Sequence, residues 1–264
     1  MEEKSVEKEI KKDFKSKLID TLIIIVIVLV GLFMYAKYLE PKTLVIKETR
    51  LVENEIPLSY SGVKLVFFSD LLLGSSVTID ELDNVVNKIK ELKPDILIYG
   101  GNLIYKETDK KEKVISLLSG IETSIGKYYV TGSLDKDESI EILDKSGFTK
   151  LDNNYELLYY KDVTPICLYG VSSYILGNYK LEDMSNCKGY YTIFVSHEPD
   201  VVNKLSNEEA NLVLSGNTLG GEVNLPLLSK KYDGSTTYYK DYYENNNMYI
   251  SNGIGTRTYH LRLF

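Results

Sequence analysis

The chain has 264 residues, of which 44% are hydrophobic and 26% are charged, and this composition is typical of a globular protein with one large domain. The formal net charge is -7 and the second half holds no cluster of Lys or Arg, which argues against a nucleic-acid partner. The two cysteines are too few for a disulfide framework or a metal knuckle. Cys167 lies in an apolar run and is interpreted as a core residue, with a Cys167–Cys187 disulfide as the open alternative.

The N-terminal region predicts a charged tail and a membrane anchor. Residues 1–20 hold six Lys and six acidic residues, which is typical of a solvated helix or a disordered tail. Residues 21–36 carry no charge and approach the roughly 17 to 25 residues of a spanning helix. A cleaved signal peptide and a buried core helix are the alternatives. The long, mixed-charge flank and the lack of an A-x-A-like cleavage site favour an uncleaved single-pass anchor over residues 21–38.

The orientation of this anchor is poorly specified by the flanking charges. Five Lys precede the apolar stretch in residues 6–20, and four basic residues follow it in residues 37–51. The difference of one charge favours a cytoplasmic N-terminus only weakly.

From residue 43 the pattern alternates between strands and helices. Apolar, β-rich runs predict strands at 63–70, 96–102, 127–133, 155–160, 165–171, 191–197 and 211–217. Helical spacing predicts helices at 78–92, 110–119 and 135–147, with Thr78 and Asp135 as N-caps of the first and the last. The tail after residue 248 predicts two closing strands around a glycine-rich turn. The alternation indicates a layered α/β domain over residues 43–264.

Five of the predicted strands end in the same way, with a small residue followed by a polar one. These pairs are Ser69-Asp70, Gly101-Asn102, Gly132-Ser133, Ser196-His197 and Gly216-Asn217. In α/β sheets, ligands bind beyond the carboxyl ends of the strands, so the five polar residues are expected to converge on one site. The alternative is that they only mark the turns that follow each strand, since Gly, Ser and Asn are common turn residues.

These strand ends resemble the motifs of the calcineurin-like metallophosphoesterases, in particular the membrane-anchored bacterial members. The family pattern runs Asp-x-His, Gly-Asp, Gly-Asn-His-Asp, a His after a strand, and Gly-His-x-His. The corresponding stretches here read SDLLLG, GGNL, GSLD, SHEPD and SGNTLGG, in the same order. The resemblance covers about residue 60 to the C-terminus. It implies a sandwich of two mixed β-sheets flanked by helices, with an N-terminal transmembrane helix.

The resemblance also shows which expected metal ligands are missing. Asp70 and His197 match ligand positions of the family. The other positions are substituted: a His ligand by Leu72, the bridging Asp by Asn102, the Asn ligand by Ser133, the catalytic His by Leu134, and the last two His ligands by Asn217 and Leu219. The family pattern uses five histidines, whereas this chain contains two, and the second, His260, lies outside the motifs.

The substituted positions predict that the dinuclear centre is lost. Leucine has no lone pair to offer a metal, and a neutral amide cannot bridge two dications as a carboxylate does. The alternative to no cofactor at all is a weak site, either for an anion or for one divalent ion near His197 and the oxygens of Asn102, Ser133 and Asn217. We expect instead that these polar residues and Asp70 bond to one another and close the pocket.

Three functions follow from this interpretation. The favoured one is a membrane-anchored pseudoenzyme that acts as a binding or scaffold module for a protein or cell-envelope partner. The second is a metal-dependent hydrolase of a phosphodiester, phosphomonoester or lipid-linked phosphate with a reduced metal site. The third is a regulator of an active paralogous phosphoesterase. The resemblance to secreted or anchored relatives favours an extracytoplasmic position of the soluble domain over a cytosolic one.

Overall fold

A long N-terminal helix precedes the globular part of the protein. The computed structural model describes residues 2–106, 109–206, 209–222, 238, 241–257 and 260–263. Helix α1 spans Glu2–Met34 and continues through a π-helical turn, Tyr35–Leu39, and a 3-10 turn, Glu40–Lys42. Within the described residues, the stretch 12–42 is the one helical segment long and apolar enough to cross a membrane, and it contains the predicted anchor. The tail before it is helical and continuous with the anchor.

The first sheet is parallel throughout. Its strands lie in the order β1-β2-β3-β4 and span Leu65–Phe68, Ile96–Tyr99, Gly126–Tyr129 and Thr149–Lys150. The helices α2, α3 and α4 span Ile79–Leu92, Lys111–Ser119 and Asp137–Lys145. Thr78 caps α2 through a capping box with Glu81, as predicted. Because parallel strands joined by helices run in one direction, all their carboxyl ends meet at one edge of the sheet.

The second sheet is mixed. It has the order β5-β6-β7-β8-β10-β9, with antiparallel strands at both ends and parallel pairing between them. In chain order, the strands are β5 at Asn154–Leu158, β6 at Ile166–Gly170, β7 at Thr192–Ser196, β8 at Leu212–Ser215, β9 at Tyr242–Tyr243 and β10 at Met248–Ile250. The predicted layered α/β architecture with two sheets and an N-terminal apolar helix is confirmed.

Three buried apolar layers hold the domain together. Alternate residues of β2 point to opposite faces, so Leu97 packs against α2 and α3 while Ile98 packs between the two sheets. Ile193 of β7 enters the same inter-sheet layer, and Phe194 faces the third layer on the outer side of the second sheet. The order of layers is therefore helix, sheet, sheet, and short 3-10 segments, with the strand ends gathered at one edge.

One expectation needs correction, and one open question is answered. The second closing strand is not formed in the described residues: β10 covers Met248–Ile250, and residues 251–257 run as an irregular loop whose Gly255 N–H donates to the Asp70 carbonyl at 2.7 Å. The sequence left a Cys167–Cys187 disulfide open, and the structure forms it, with Cα atoms 5.4 Å apart. Both cysteines lie in the buried third layer, so the prediction of Cys167 as a core residue is confirmed.

Candidate functional site

The structure brings four of the five polar strand ends into one buried cluster. Asp70, Asn102, His197 and Asn217 follow the carboxyl ends of β1, β2, β7 and β8, and the first three are fully buried. We call these four residues the strand-end cluster. Ser133 follows β3 nearby but is only half-buried, and its hydroxyl is not part of the hydrogen bonds described below.

Asp70 is the acceptor at the centre of the cluster. Its Oδ2 accepts hydrogen bonds from the Ser69 hydroxyl at 2.7 Å and from the Asn217 backbone N–H at 3.0 Å. Its Oδ1 accepts from the Asn102 side-chain amide at 3.0 Å and lies 3.6 Å from His197 Nε2. A buried carboxylate with this many donors keeps its charge compensated by hydrogen bonds within the protein.

The orientation of the Asn102 amide follows from its partners. The Leu134 backbone N–H donates to Asn102 Oδ1 at 3.0 Å, so the nitrogen must face the other side, where Nδ2 lies 2.6 Å from His197 Nε2. His197 Nε2 therefore accepts, and the proton resides on Nδ1, which donates to the Gly100 carbonyl at 2.5 Å. The amide donates to both Asp70 and His197, the two retained metal-ligand positions.

The leucines at lost ligand positions fill space. Leu72 is fully buried and Leu219 is 1% exposed. A Cβ atom added to Gly253 would lie 2.6 Å from Leu219 Cδ2, and one added to Gly255 would lie 2.9 Å from Leu72 Cβ. Apolar side chains and a closely approaching glycine loop thus occupy this side of the cluster. At the catalytic His position, Leu134 is half-buried and contributes its backbone N–H.

The backbone at these positions has an unusual conformation. Residues with positive φ include Asp70 at 52°, Leu72 at 49°, Asn102 at 62°, Asn217 at 64° and Leu219 at 52°. This region suits glycine and tolerates Asn and Asp, but it is an outlier for leucine, where such strain costs about 1–3 kcal/mol. The turns of a ligand-binding edge therefore persist even where the side chain is apolar.

Asp135 connects the loops beneath the cluster. Its carboxylate accepts from the backbone N–H groups of Asn102 at 2.7 Å, Leu103 at 2.8 Å and Gly132 at 2.9 Å. The prediction of Asp135 as a helix N-cap was wrong, since α4 begins after Lys136. The local sequence suits both roles, and only the three-dimensional proximity of the β2 and β3 loops selects the second.

Two arginines from the terminal segment balance the charge of the cluster. Arg257 Nη2 donates to Asn217 Oδ1 at 3.0 Å, and its backbone N–H donates to the buried Glu222 carboxylate. Burial lowers the pKa of Arg262, against the attraction of the carboxylates of Glu222, Glu40 and Asp70. Sequence reasoning missed these arginines, because no motif links residues 257 and 262 to strand ends so distant in the chain.

A buried phenol adds to the electrostatics of this edge. Burial raises the pKa of Tyr99 well above its usual range, and the nearby carboxylates of Asp135 and Asp70 act in the same direction. Its hydroxyl lies 3.4 Å from the Leu71 backbone N–H. Tyr99 is therefore neutral at physiological pH.

The side chains present do not fit a dinuclear metal centre. The carbonyl oxygen of Asn102 faces the Leu134 N–H, and that of Asn217 faces Arg257, so both amide oxygens are occupied by N–H donors. The Asn102 NH2 group lies between Asp70 and His197, where a metal would require lone pairs. Across the described part of the chain, no group of three or more His, Cys, Asp and Glu is arranged to hold a metal ion.

A layered sandwich with five such strand-end motifs, preceded by an apolar helix, defines a metallophosphoesterase-like domain. Comparison with known proteins places it in a family. The chain is 30% identical over 247 residues to the uncharacterized metallophosphoesterase YkuE of Bacillus subtilis, covering 88% of this chain and 86% of that protein. The chain belongs to the calcineurin-like metallophosphoesterase family.

More distant relatives include membrane proteins. The transmembrane protein with metallophosphoesterase domain of Danio rerio is 26% identical over 199 residues, covering 66% of this chain and 45% of that protein. The UDP-2,3-diacylglucosamine pyrophosphatase LpxG of Chlamydia muridarum is 24% identical over 248 residues, covering 74% of each. No family model matches the chain. Together with α1, the transmembrane relative supports association with a membrane.

Proposed function

We propose that this chain is a membrane-anchored metallophosphoesterase homologue that has lost dinuclear-metal hydrolysis and acts as a binding or scaffold module. The observation that carries the proposal is the Asn102 amide, which donates to Asp70 Oδ1 at 3.0 Å and lies 2.6 Å from the accepting His197 Nε2. Its N–H hydrogens satisfy the two retained ligands without a cation.

The chemistry of the other substitutions supports the same proposal. Two-metal hydrolysis needs cations that hold the phosphate and lower the pKa of a bound water. Leu72 and Leu219 offer no lone pairs, and Leu134 offers no ionisable group for a leaving oxygen. A buried carboxylate and imidazole without metal would leave costly unpaired polar groups, and the amide at position 102 removes that cost.

The retained pair supports a second function. Asp70 and His197 lie 3.6 Å apart, and rotation of the Asn102 side chain would free both for one ion. One relative is named a pyrophosphatase of a diacylated sugar nucleotide. In this alternative the chain is a hydrolase of a phosphodiester, phosphomonoester or lipid-linked phosphate with a single divalent metal.

A hydrolysis assay separates the two functions. The full chain, purified in detergent, is incubated with bis(p-nitrophenyl) phosphate and p-nitrophenyl phosphate in the presence of Mn²⁺, Zn²⁺ or Mg²⁺. The proposal expects a rate equal to that of Asp70→Ala prepared in the same way. Metal-dependent hydrolysis that Asp70→Ala lacks would overturn it. YkuE of Bacillus subtilis, assayed in parallel, controls for the choice of substrate.

We further infer that the domain faces an oxidising compartment. The Cys167–Cys187 disulfide joins β6 to the 3-10 segment Glu182–Cys187, and such bonds persist mainly outside the cytoplasm. With the membrane held through residues 21–38, the domain then lies on the extracytoplasmic side. Its partner in this setting is a protein, a cell-envelope component or a paralogous phosphoesterase, and not a nucleic acid.

A further inference from the structure

The end of the membrane helix contacts the domain at the edge that carries the strand-end cluster. Ala36, in the π-helical turn, is 5% exposed, and its carbonyl accepts a hydrogen bond from the Arg262 backbone N–H at 2.9 Å. A few residues on, Lys42 Nζ lies 3.8 Å from Glu81 Oε1 in the first turn of α2. Because α2 begins beyond the carboxyl end of β1, the Lys42 contact lies on the carboxyl edge of the domain. The Ala36 contact lies on the same edge, because the Arg262 side chain binds the loop that follows the carboxyl end of β10.

Arg262 links this helix end to the cluster itself. Its Nη2 donates at 3.0–3.1 Å to three backbone carbonyls of the loop after β10, those of Asn252, Gly253 and Gly255. The same loop pairs with the Asp70 carbonyl through the Gly255 N–H at 2.7 Å. Arg262 therefore connects the backbone at the end of the membrane helix to the loop after β10, which lies beneath the cluster.

The chain that follows the anchor runs away from this edge. Glu53 Oε1 accepts a hydrogen bond from Asn247 Nδ2 at 3.0 Å, just before the amino end of β10. Residues 43–53 thus extend along the domain from the carboxyl edge to the opposite, amino edge. The carboxyl edge is the one next to the membrane helix, and the amino edge is the one distant from it.

Apolar side chains are exposed in the loops of the carboxyl edge. Ile175 and Leu176, beyond the end of β6, are each 54% exposed, and Tyr105, beyond β2, is 44% exposed. The β6 loop is held in place, because the buried Glu198 carboxylate accepts from the Ser173 hydroxyl at 2.7 Å. It lies three strands from β10, or about 14 Å along the sheet from the strand whose following loop Arg262 joins to the anchor.

Exposure alone does not distinguish the two edges. Val163, in the turn between β5 and β6 at the amino edge, is 85% exposed. The position of the anchor decides between them, because a spanning helix that leaves from one edge brings that edge closest to the bilayer. Apolar side chains there can enter the headgroup boundary, whereas Val163 at the far edge cannot reach it.

We propose that the carboxyl edge of the domain lies against the bilayer surface, with Ile175 and Leu176 inserted at the lipid interface. The strand-end cluster then faces the membrane, so a ligand that reaches it is presented from the lipid surface. The proposal rests on the anchor contacts and on exposed apolar residues, and it holds whether or not the cluster binds a metal.

Single tryptophans test this arrangement, because the chain contains no Trp. Leu176→Trp, Ile175→Trp and the matched control Val163→Trp are made in the full chain. Each is reconstituted into vesicles of phosphatidylcholine and phosphatidylglycerol, with and without a lipid that carries a nitroxide near the top of one acyl chain. Tryptophan emission is compared between the two preparations.

The nitroxide lipid is expected to lower the emission of Leu176→Trp and Ile175→Trp about twofold, because interfacial side chains lie roughly 5–10 Å into the headgroup boundary. The emission of Val163→Trp is expected to stay unchanged. Quenching at residues 175 and 176 that is no greater than at residue 163 would overturn the proposal. Two neighbouring test positions keep the result meaningful if one variant does not fold.

Discussion

Replacing Asn102 with aspartate tests the role of the amide most sharply. Asn102→Asp keeps the size of the side chain but turns the Nδ2 donor into an acceptor. That acceptor would face Asp70 Oδ1 at 3.0 Å and His197 Nε2 at 2.6 Å, which are both acceptors in the present arrangement. Two carboxylates at this separation repel by about 5 kcal/mol at an effective dielectric constant of about 20.

The folded variant avoids most of this repulsion by binding one proton. The cost at pH 7 is about 1 kcal/mol if the proton resides on an imidazole of ordinary pKa, and about 4 kcal/mol if it resides on a carboxyl of ordinary pKa. Because the folded variant binds one proton more than the unfolded chain, its stability relative to the native sequence falls as pH rises. The expected slope between pH 7 and 8 is about 1.4 kcal/mol per pH unit.

The assay is thermal unfolding of the detergent-solubilised full chain at pH 6, 7 and 8. A loss of 1 kcal/mol lowers Tm by about 2–4 °C in a domain of this size. Zn²⁺ or Mn²⁺ replaces the proton in the variant, so metal is expected to raise its Tm, by an amount equivalent to about 2.7 kcal/mol at 100 times Kd. The native sequence is expected to show no such rise.

Asn203→Asp is the matched control, because this exposed side chain accepts from the Tyr238 hydroxyl through an oxygen that aspartate also has. We expect it to change stability by about 0.5 kcal/mol or less at every pH. If Asn102→Asp behaves like Asn203→Asp, without a pH-dependent loss and without a metal response, the inferred hydrogen bonding of the cluster is wrong.

Three further predictions follow. The double substitution of Cys167 and Cys187 by Ala is expected to lower the free energy of unfolding by about 3 kcal/mol in urea without reductant, because the disulfide closes a loop of about 20 residues. Full thiol reactivity of the native chain, unfolded without reduction, would contradict the disulfide. Asp135→Asn is expected to lower stability by about 1.5–3 kcal/mol, because an amide oxygen accepts more weakly from the three backbone N–H groups. An equal effect of the exposed Asp109→Asn would show that the connection made by Asp135 between the β2 and β3 loops adds no stability. Restoring the family residues at the six substituted positions is expected to yield bound metal by elemental analysis, because their turns persist; a folded, metal-free revertant would contradict this.

The sequence predicted the layers and the edge of the site because both depend on local patterns. Apolar runs marked the long strands, and helical spacing with Thr78 marked α2. Short strands escaped prediction: β4 and β9 have two residues each, too few to show any periodicity. Their pairing is imposed by neighbouring strands and not by their own composition.

Within the site, residues next to a strand end were predictable and residues brought in from a distance were not. Asp70 and His197 stand directly after apolar runs, so their convergence follows from sheet topology. Asp135 was predicted to cap a helix because an N-cap is recognised from local sequence alone. Its actual hydrogen bonds, to backbone N–H groups of the β2 and β3 loops, depend on how the fold brings those loops together. Arg257 and Arg262 reach the cluster from the terminal segment, and no local pattern indicates this.

The disulfide illustrates a different limit. Cys167 and Cys187 are 20 residues apart, and their pairing depends on how the segment after β6 folds back against the sheet. Composition alone left the pairing open, since two cysteines in a chain can form either a disulfide or two buried thiols.

Metal content is the most direct test of the central claim that this fold has kept its edge and lost its dinuclear centre. The full chain is purified without chelator, analysed for Mn, Fe and Zn, and titrated with each ion by calorimetry, with YkuE of Bacillus subtilis as the comparison. We predict far less than one ion per chain and no saturable binding heat. About two tightly held ions per chain, lost in His197→Ala, would contradict it.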